Sequence, residues 1–480
     1  MTDRPNILLI LSDQHNVRLM GCEGNPIIRT PGLDKLASEG VRFDNAYCQN
    51  PLCAPSRFSM LSGQYCKTLG IYNNRHIPEA NSMTLPRALG AAGYATCLIG
   101  KAHFNGEQFH GYQQRPYGDL YGQAHQPDPR RTPEEGPEGH RHWFEKAGPT
   151  GIPLPLTQTE ICLAEASKWL QERVGVHGEQ PFFLTVSFDK PHFPVNPPKE
   201  YFEHYIDKVE LPEVPEGCLE KSVNFVREAT MDNGKGEWYG KSPELHRKLL
   251  AAYYGCIEWV DDAIGRLLDT LDYLGLAENT IVIYSTDHGD MSYENGAWQK
   301  TVFFDASARV PLIVRWPRQI VATGTRLSQP AGLLDLFPTL CEAAGVAIPA
   351  QCEGTSLLPL LTKHGNFERD AIFSESTVLG NPVHAGCMIR TGDWKYNHYL
   401  DGDDELYNLK DDPMERKNLI TDPAHAALAE TLKNRVIAFW EPDKQYERYN
   451  RTPMMYKQKD AHEFSNQFML GAGLVFDGRP

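Results

Sequence analysis

Runs of consecutive apolar residues mark the strands that this chain is expected to form. Asn6–Asp13 and Thr280–Asp287 both pass through mainly apolar side chains and end in a carboxylate. Such a run is typical of a strand buried on both faces, as in a parallel sheet, whereas a half-exposed strand alternates apolar and polar residues. Shorter runs of the same kind are Ala95–Gly100, Phe182–Phe188 and Val310–Val314.

Stretches with helical character lie between these strands. Examples are Ile161–Gln171 and Leu245–Leu274. This alternation predicts an α/β fold, in which a large, mostly parallel sheet is sandwiched by helices. Ligands of such sheets bind beyond the carboxyl ends of the strands, and Asp13 and Asp287 lie there.

The pattern changes after Pro359. A helical stretch from Ala424 to Phe439 follows three short strand-like segments, Ala371–Ser374, Gly386–Arg390 and Trp394–Asn397. We therefore predict a large α/β domain over residues 1–370, a smaller C-terminal antiparallel sheet plus helix over residues 371–440, and an extended arm over residues 441–480. The arm is expected to pack on its own chain or on a neighbouring subunit, and the second case predicts a homo-oligomer.

Composition narrows the classes of partner. The formal net charge of −15 argues against a nucleic acid or an anionic membrane, so any anion site must be built locally. The 11 cysteines are scattered without a C-x-x-C pair, which argues against a zinc ribbon or a disulfide scaffold. The N-terminus has no signal-peptide pattern, and no apolar run is long enough to span a bilayer. We expect a cytoplasmic protein, unless a leader has been removed.

One short motif singles out Cys53 among the cysteines. In Cys53-Ala54-Pro55-Ser56-Arg57, Pro55 suits the first turn of a helix, which puts Cys53 at the helix N-terminus. Backbone N–H groups there favour an anion, whether a thiolate, a phosphate or a sulfate. Arg57, one turn later, can bind a tetrahedral oxyanion or brace the group at position 53. A C-x-P sequence alone is more often a buried cysteine beside an ordinary helix start.

Two pairs of polar residues follow the two longest apolar strands. Asp13-Gln14 and Asp287-His288 offer hard donors that suit Ca²⁺, Mg²⁺ or Mn²⁺. A single Asp at a strand end is more often a helix cap or a loop hydrogen-bonder. Because both strands have the same pattern, the two pairs together favour a metal site.

The Cys53–Arg57 motif, followed by Ser62-Gly63, resembles the signature of the formylglycine-dependent sulfatases, in the alkaline phosphatase-like superfamily. The resemblance covers most of residues 5–320 in motif order. In that family a maturation enzyme oxidises the cysteine to formylglycine, whose hydrate is the nucleophile. The resemblance therefore implies that Cys53 is the precursor of a formylglycine and that a formylglycine-generating enzyme is a partner.

The resemblance also implies the ligands of one divalent cation. Asp13, Gln14, Asp287 and His288 fall where the family binds its metal, and the residue at Cys53 completes the shell. Ca²⁺ is the first expectation. Mn²⁺ and Mg²⁺ stay open, because neutral Gln14, together with His288, lowers the charge of the ligand set.

Other family motifs imply the remaining site residues. Lys101 and His103, in Gly100-Lys101-Ala102-His103, match a sulfate-binding lysine and the partner of the formylglycine hydroxyl. His192, flanked by prolines, matches the histidine that contacts the ester bridge oxygen, and is the expected general acid. Lys300 matches a second sulfate-binding lysine, and Asn74 a pocket hydrogen-bonder. Taken alone, the two lysines would be surface residues and His192 a histidine between turns.

These expectations together describe a sulfuric ester hydrolase acting on a small organic or sugar sulfate. The stretch from Ser292 to Lys300 and the residues after it look similar to choline sulfatases. A phosphonate or phosphate ester hydrolase on the same scaffold is the alternative, favoured by Gln14 and His288 and opposed by Lys101. A catalytically silent binding protein is a third reading, which the intact set of motifs disfavours.

Overall fold

The structure is a computed structural model, and it describes residues 4–451 except 75, 77, 80, 105–107, 119–146, 177, 179, 233–240, 321, 364 and 379–383. The strands are β1 Asn6–Asp13, β2 Val41–Phe43, β3 Ala46–Tyr47, β4 Ala95–Gly100, β5 Gln114–Tyr117, β6 Phe182–Pro191, β7 Thr280–Thr286, β8 Leu312–Arg315, β9 Thr325–Leu327, β10 Ala331–Gly332, β11 Ala371–Thr377, β12 Ala385–Thr391, β13 Trp394–Tyr399 and β14 Glu405–Asn408. The α-helices are α1 Pro31–Glu39, α2 Cys53–Ser62, α3 Cys66–Leu69, α4 Leu85–Ala91, α5 Gln158–Val176, α6 Lys199–Tyr205, α7 Asn224–Arg227, α8 Pro243–Tyr273, α9 Asp305–Ala308, α10 Leu336–Ala343, α11 Leu358–Thr362, α12 Ala426–Trp440 and α13 Pro442–Arg451.

The main sheet has eight strands in the order β5-β4-β6-β1-β7-β8-β2-β9. β1 lies at its centre and pairs in parallel with β6 and β7. β8 is antiparallel to both of its neighbours, so the segment predicted around Val310–Val314 runs in the reverse direction, and its strand begins at Leu312. The prediction of a large, mostly parallel sheet with helices is confirmed.

The apolar run of β1 reflects a sheet that is covered on both faces. Ile7, Leu9 and Leu11 belong to one hydrophobic core, and Leu8 and Ile10 belong to the core on the opposite face. Successive side chains of a strand point to opposite faces, so each face needs its own apolar set. A central strand such as β1, which is buried on both faces, therefore has an uninterrupted run of apolar residues.

The C-terminal part contains a second sheet, in which β11, β12, β13 and β14 pair antiparallel in chain order. Helix α12 packs on it through Leu432, Val436 and Trp440. The prediction of a small antiparallel sheet plus a helix is confirmed, while the domain boundaries at 370 and 440 stay predictions.

The segment predicted as an extended arm begins with a helix instead. The ten residues of α13 are helical, and Gln445 and Tyr449 in it contact Tyr72 and Asn73 of the same chain. Residues 452–480 lie outside the described part, and a homo-oligomer through the arm stays a prediction. Across the described residues, no helix combines the length and hydrophobicity needed to cross a membrane.

Candidate active site

The ends of the two central strands place two carboxylates side by side. Asp13 is the last residue of β1 and Asp287 follows β7, with Ser12 and Thr286 as register partners in the parallel pair. Both carboxylates are fully buried. Buried carboxylates need compensating charge or a metal, and the neighbouring side chains supply part of this compensation.

Arg57 binds both carboxylates at once. Its Nη2 donates to Asp13 Oδ2 at 2.8 Å and its Nε donates to Asp287 Oδ2 at 2.8 Å. Its Nη1 donates to the Lys101 carbonyl and to Ser187 Oγ. These contacts give Arg57 a role that was not among the two expected, because its planar fork of donors braces the two carboxylates. Its predicted contacts with an oxyanion or with the group at position 53 stay predictions.

Four side chains at this edge can hold a cation. One potential ligand atom from each of Asp13, Cys53, Asp287 and His288 lies within 4.8 Å of the others. Asp13 Oδ1 has no hydrogen-bond partner among the described residues, although it is buried. His288 Nδ1 lies 2.9 Å from the Gly289 carbonyl and so carries the proton, which leaves the Nε2 lone pair directed toward Cys53. The residues therefore fit a divalent cation.

Cys53 is the first residue of α2 and is fully buried. Its Sγ lies 3.2 Å from His288 Nε2 and accepts a hydrogen bond from Lys300 Nζ at 3.1 Å. Burial and the Asp13 carboxylate raise the pKa of the thiol, but the positive charges of Lys300 and Lys101 act in the opposite direction, and the pKa is held well below its usual range. Position 53 thus favours a group that bears negative charge.

Lys101 lies on the Asp13 side of the site. Its Nζ is 2.9 Å from Asp13 Oδ2. Burial lowers the pKa of Lys101, but the negative charges of Asp13 and Cys53 have the larger effect. The pKa is therefore raised above its usual value, and the ammonium stays charged. Gly100 permits this placement at the end of β4: its φ is +98°, and a Cβ there would lie 2.0 Å from the Ser187 carbonyl oxygen.

Lys300 lies on the Gln14 side. Its Nζ donates to Gln14 Oε1 at 2.7 Å as well as to Cys53. Gln14 Nε2 in turn donates to Asp290 Oδ2 at 2.5 Å. The structure therefore brings Gln14 to the site with its amide oxygen bonded to Lys300, and its predicted role as a metal ligand stays a prediction.

His192 follows the end of β6, where its backbone N–H donates to the Asp13 carbonyl at 3.0 Å. This backbone contact holds the imidazole beside the carboxylates, with Nε2 3.9 Å from Asp13 Oδ1. Burial lowers the pKa of His192 to about 3, and the ammonium groups of Lys101 and Lys300 contribute to the shift. An anion that pairs with those lysines would remove their share of it.

His103 and Asn74 are the two remaining predicted site residues. His103 is buried two residues beyond Lys101, in a left-handed backbone conformation with φ of 57°. Its predicted contact with the nucleophile stays a prediction. Asn74 Oδ1 accepts a hydrogen bond from the Ala54 backbone N–H at 2.9 Å. Asn74 thus stabilises the start of the helix that carries Cys53, next to the pocket in which it was predicted to bind.

Sequence reasoning missed three residues that hold this site. Asp290 binds the Gln14 amide, Ser187 binds Arg57, and the Tyr253 hydroxyl donates to the Gln14 carbonyl at 2.5 Å. Asp290 could have been found as a further carboxylate three residues after Asp287. Tyr253 lies in the middle of the long helix α8, where one more aromatic residue carries no signal of function.

The site combines a buried cysteine at a helix N-terminus, paired carboxylates at parallel strand ends and two lysines, a set of groups that suits the hydrolysis of an anionic ester. The Sulfatase family model matches residues 5–346, and a model described as N-sulphoglucosamine sulphohydrolase, C-terminal, matches residues 293–441. The chain therefore belongs to the Sulfatase family and is a sulfuric ester hydrolase.

Relatives along most of the chain agree with this assignment. A choline-sulfatase of Rhizobium meliloti is 32% identical over 444 residues, covering 88% of this chain and 83% of the relative. An arylsulfatase of Clostridium perfringens is 31% identical over 464 residues, covering 90% of this chain and 94% of the relative. The crystal structure of a phosphonate monoester hydrolase of Agrobacterium radiobacter is similar in fold, with a TM-score of 0.76, 24% identity and coverage of 91% of this chain and 95% of that one.

Proposed function

We propose that this protein hydrolyses the sulfate monoester of a small alcohol or sugar, with a formylglycine derived from Cys53 as nucleophile and one divalent cation beside it. The observation that carries the proposal is the position of Cys53 at the start of α2, where its Sγ lies 3.2 Å from His288 Nε2 and 3.1 Å from Lys300 Nζ. The encoded thiol stands where the proposal places the oxygens of the modified residue.

Asp13, Asp287, His288 and the residue at position 53 would hold the cation, with Gln14 as a further candidate. Ca²⁺, Mn²⁺ and Mg²⁺ all suit a set rich in carboxylates. Bound there, the cation would act as a Lewis acid, and the hydrated aldehyde would supply an oxygen nucleophile. Supporting this arrangement, Asp13 Oδ1 is buried without a hydrogen-bond partner among the described residues.

The remaining residues bind the sulfate group and move protons. Lys101, which contacts Asp13, and Lys300, which contacts Gln14, neutralise the sulfate oxygens. His192 donates a proton to the departing alcohol oxygen. Burial and the two ammonium groups lower its pKa, and a bound sulfate group would raise it by offsetting the share of the ammonium groups. His103 takes a proton from the residue at position 53 when sulfate leaves.

The proposed substrate class is a small ester. The two relatives described above are named as a choline-sulfatase and an arylsulfatase, and both names denote small sulfate esters. The second candidate is hydrolysis of a phosphonate or phosphate ester. The neutral Gln14 and the imidazole of His288 favour it, whereas the second cation supplied by Lys101 favours sulfate.

Parallel kinetics on an aryl sulfate and the matching aryl phosphonate test the proposal. We expect kcat/KM for the sulfate to exceed kcat/KM for the phosphonate. A preference for the phosphonate by orders of magnitude would overturn the choice of sulfate. A panel of sulfate esters, including choline sulfate and short sulfated sugars, would then identify the alcohol.

A further inference from the structure

Asp290, Gln14 and Lys300 form a chain of hydrogen bonds that ends on Cys53. Gln14 Nε2 donates to Asp290 Oδ2 at 2.5 Å, Lys300 Nζ donates to Gln14 Oε1 at 2.7 Å, and the same ammonium donates to Cys53 Sγ at 3.1 Å. All four side chains are buried. We propose that Asp290 is a positioning residue, which fixes the orientation of the Gln14 amide and thereby the position of Lys300 at the nucleophile.

The orientation of the amide follows from the chemistry of its two neighbours. An ionised carboxylate can only accept hydrogen bonds, and an ammonium can only donate them. The Gln14 amide therefore has to present its NH₂ to Asp290 and its oxygen to Lys300. The reverse orientation would put the NH₂ against the ammonium and the oxygen against the carboxylate.

The backbone around Gln14 is held independently of its side chain. Gln14 has a φ of 68°, its N–H donates to Asp287 Oδ1 at 3.2 Å, and its carbonyl accepts from the Tyr253 hydroxyl at 2.5 Å. Only the side-chain amide is left to choose between two orientations, and Asp290 makes that choice.

Asp290 is itself fixed by its own loop. Its Oδ1 accepts a hydrogen bond from the Ser292 backbone N–H at 2.6 Å, which leaves Oδ2 for Gln14. Both carboxylate oxygens are therefore needed as acceptors. An asparagine at this position keeps the shape but supplies one acceptor only, so Asp290→Asn tests the acceptor and not the volume.

A reciprocal swap tests the proposal most sharply. In Asp290→Asn the Asn oxygen stays with the Ser292 N–H, and its NH₂ then faces the NH₂ of Gln14. In Gln14→Glu two carboxylates face each other. In the double variant the Asn NH₂ donates to one Glu oxygen and Lys300 donates to the other, so every partner is restored. Residue count, volume and net charge of the pair are the same as in the wild-type protein.

The readouts are kcat and KM on the preferred ester and the Kd for Mn²⁺, measured by calorimetry on the metal-stripped protein. Each single variant should lose about 10- to 100-fold in kcat/KM, in Mn²⁺ affinity, or in both, as is usual for residues that orient site groups. The double variant should recover about tenfold over Asp290→Asn. Thermal unfolding accompanies each measurement, and if a single variant does not fold, the swap should restore the melting temperature.

Ser292→Ala is the matched control. It removes a hydroxyl that also contacts Asp290, at 3.3 Å, and keeps the backbone N–H bond, so it should change both readouts by less than about twofold.

The proposal is overturned if Asp290→Asn has no effect, or if the double variant is no better than the worse single variant in every readout. The inference rests on the proposed function only through the choice of ester. The Mn²⁺ affinity and the melting temperature of all the variants are measured without any ester, and the kinetics use whichever ester is preferred. A phosphonate preference would therefore overturn the proposed substrate and leave this test intact.

Discussion

The molecule contains two buried clusters of charge that are built in opposite ways. Around Lys395, the three ammonium protons are matched by three acceptors: the Phe303 carbonyl at 2.8 Å, Asp305 Oδ1 at 2.5 Å and Glu415 Oε1 at 2.7 Å. Around Asp13, one carboxylate oxygen takes both Arg57 and Lys101, while the other has no hydrogen-bond partner among the described residues.

The difference distinguishes a structural cluster from the proposed active site. Lys395 ties β13 to the start of α9 and leaves its polar groups satisfied, as stable buried ion pairs require. The Asp13 cluster keeps an acceptor facing the site and two ammonium groups beside Cys53. A protein bears the cost of an unsatisfied buried carboxylate where a ligand is to complete the site.

The largest effect should come from Cys53→Ala. The proposed nucleophile is lost, so turnover of an aryl sulfate should fall to background. The fold should persist, because the side chain lost is small and the carboxylates keep Arg57. Turnover assays together with thermal unfolding and Mn²⁺ calorimetry check this prediction. Retained turnover in a folded Cys53→Ala variant would refute the mechanism.

Lys300→Met should lower kcat/KM by about 100- to 1,000-fold, which is the usual cost of removing one charged donor from a developing anion. Its thermal unfolding should change little in comparison, because the cluster is built for a ligand. Steady-state kinetics and a thermal melt on the same preparation provide the check. A loss of less than about tenfold would mean that Lys300 does not bind the sulfate group.

Lys395→Met should show the opposite pattern. Removing the ammonium leaves Asp305 and Glu415 buried without their counter-charge, so the free energy of unfolding should fall by about 3 to 5 kcal/mol. The folded fraction should keep a KM near that of the wild type. Urea unfolding measures the loss, and Lys199→Met is the control, because its exposed pair with Glu203 should contribute less than about 1 kcal/mol. Equal losses in the two variants would contradict the contrast.

The smallest effect concerns pH. Burial raises the pKa of Glu375 to about 7. The Lys67 backbone N–H, which donates a hydrogen bond to the Glu375 carboxylate, acts in the opposite direction but does not cancel this shift of the pKa. The folded state therefore keeps a proton that the unfolded state loses near pH 4.5. The resulting contribution to stability is present at low pH and is lost as pH rises toward 7, at no more than about 1.4 kcal/mol per pH unit. In urea unfolding between about pH 5 and about pH 8, Glu375→Gln should have a shallower slope than the wild type, and an unchanged slope would contradict the assignment.

The sequence predicted the central strands and the residues at their ends because one cause acts on neighbouring positions. Burial on both faces requires the apolar run of β1. The polar Asp13 follows directly at its carboxyl end, where parallel sheets bind their ligands. The reversed direction of β8 was not predictable, because a short apolar run reads the same in either direction. Helix α13 was missed because its contacts to Tyr72 and Asn73 join positions more than 370 residues apart.

The site was predictable where a motif joins several functional groups in a few residues, as around Cys53. The site was not predictable where a residue contacts it from a helix that is distant in the sequence. Tyr253 reaches Gln14 from the middle of α8, and only the fold brings them together. Arg57 was singled out, but its bonds to the two carboxylates were not foreseen, because Asp13 and Asp287 are distant from it in the sequence.

The central claim is that the residue at position 53 acts as a formylglycine. The most direct test is mass spectrometry of the tryptic peptide Phe43–Arg57 from catalytically active protein made in its native host, after alkylation of free thiols. The peptide contains Cys48 as an internal control. The account predicts an alkylated Cys48 and an aldehyde at position 53, in a proportion that follows specific activity across preparations. Full activity in protein whose Cys53 is entirely an alkylated thiol would contradict it.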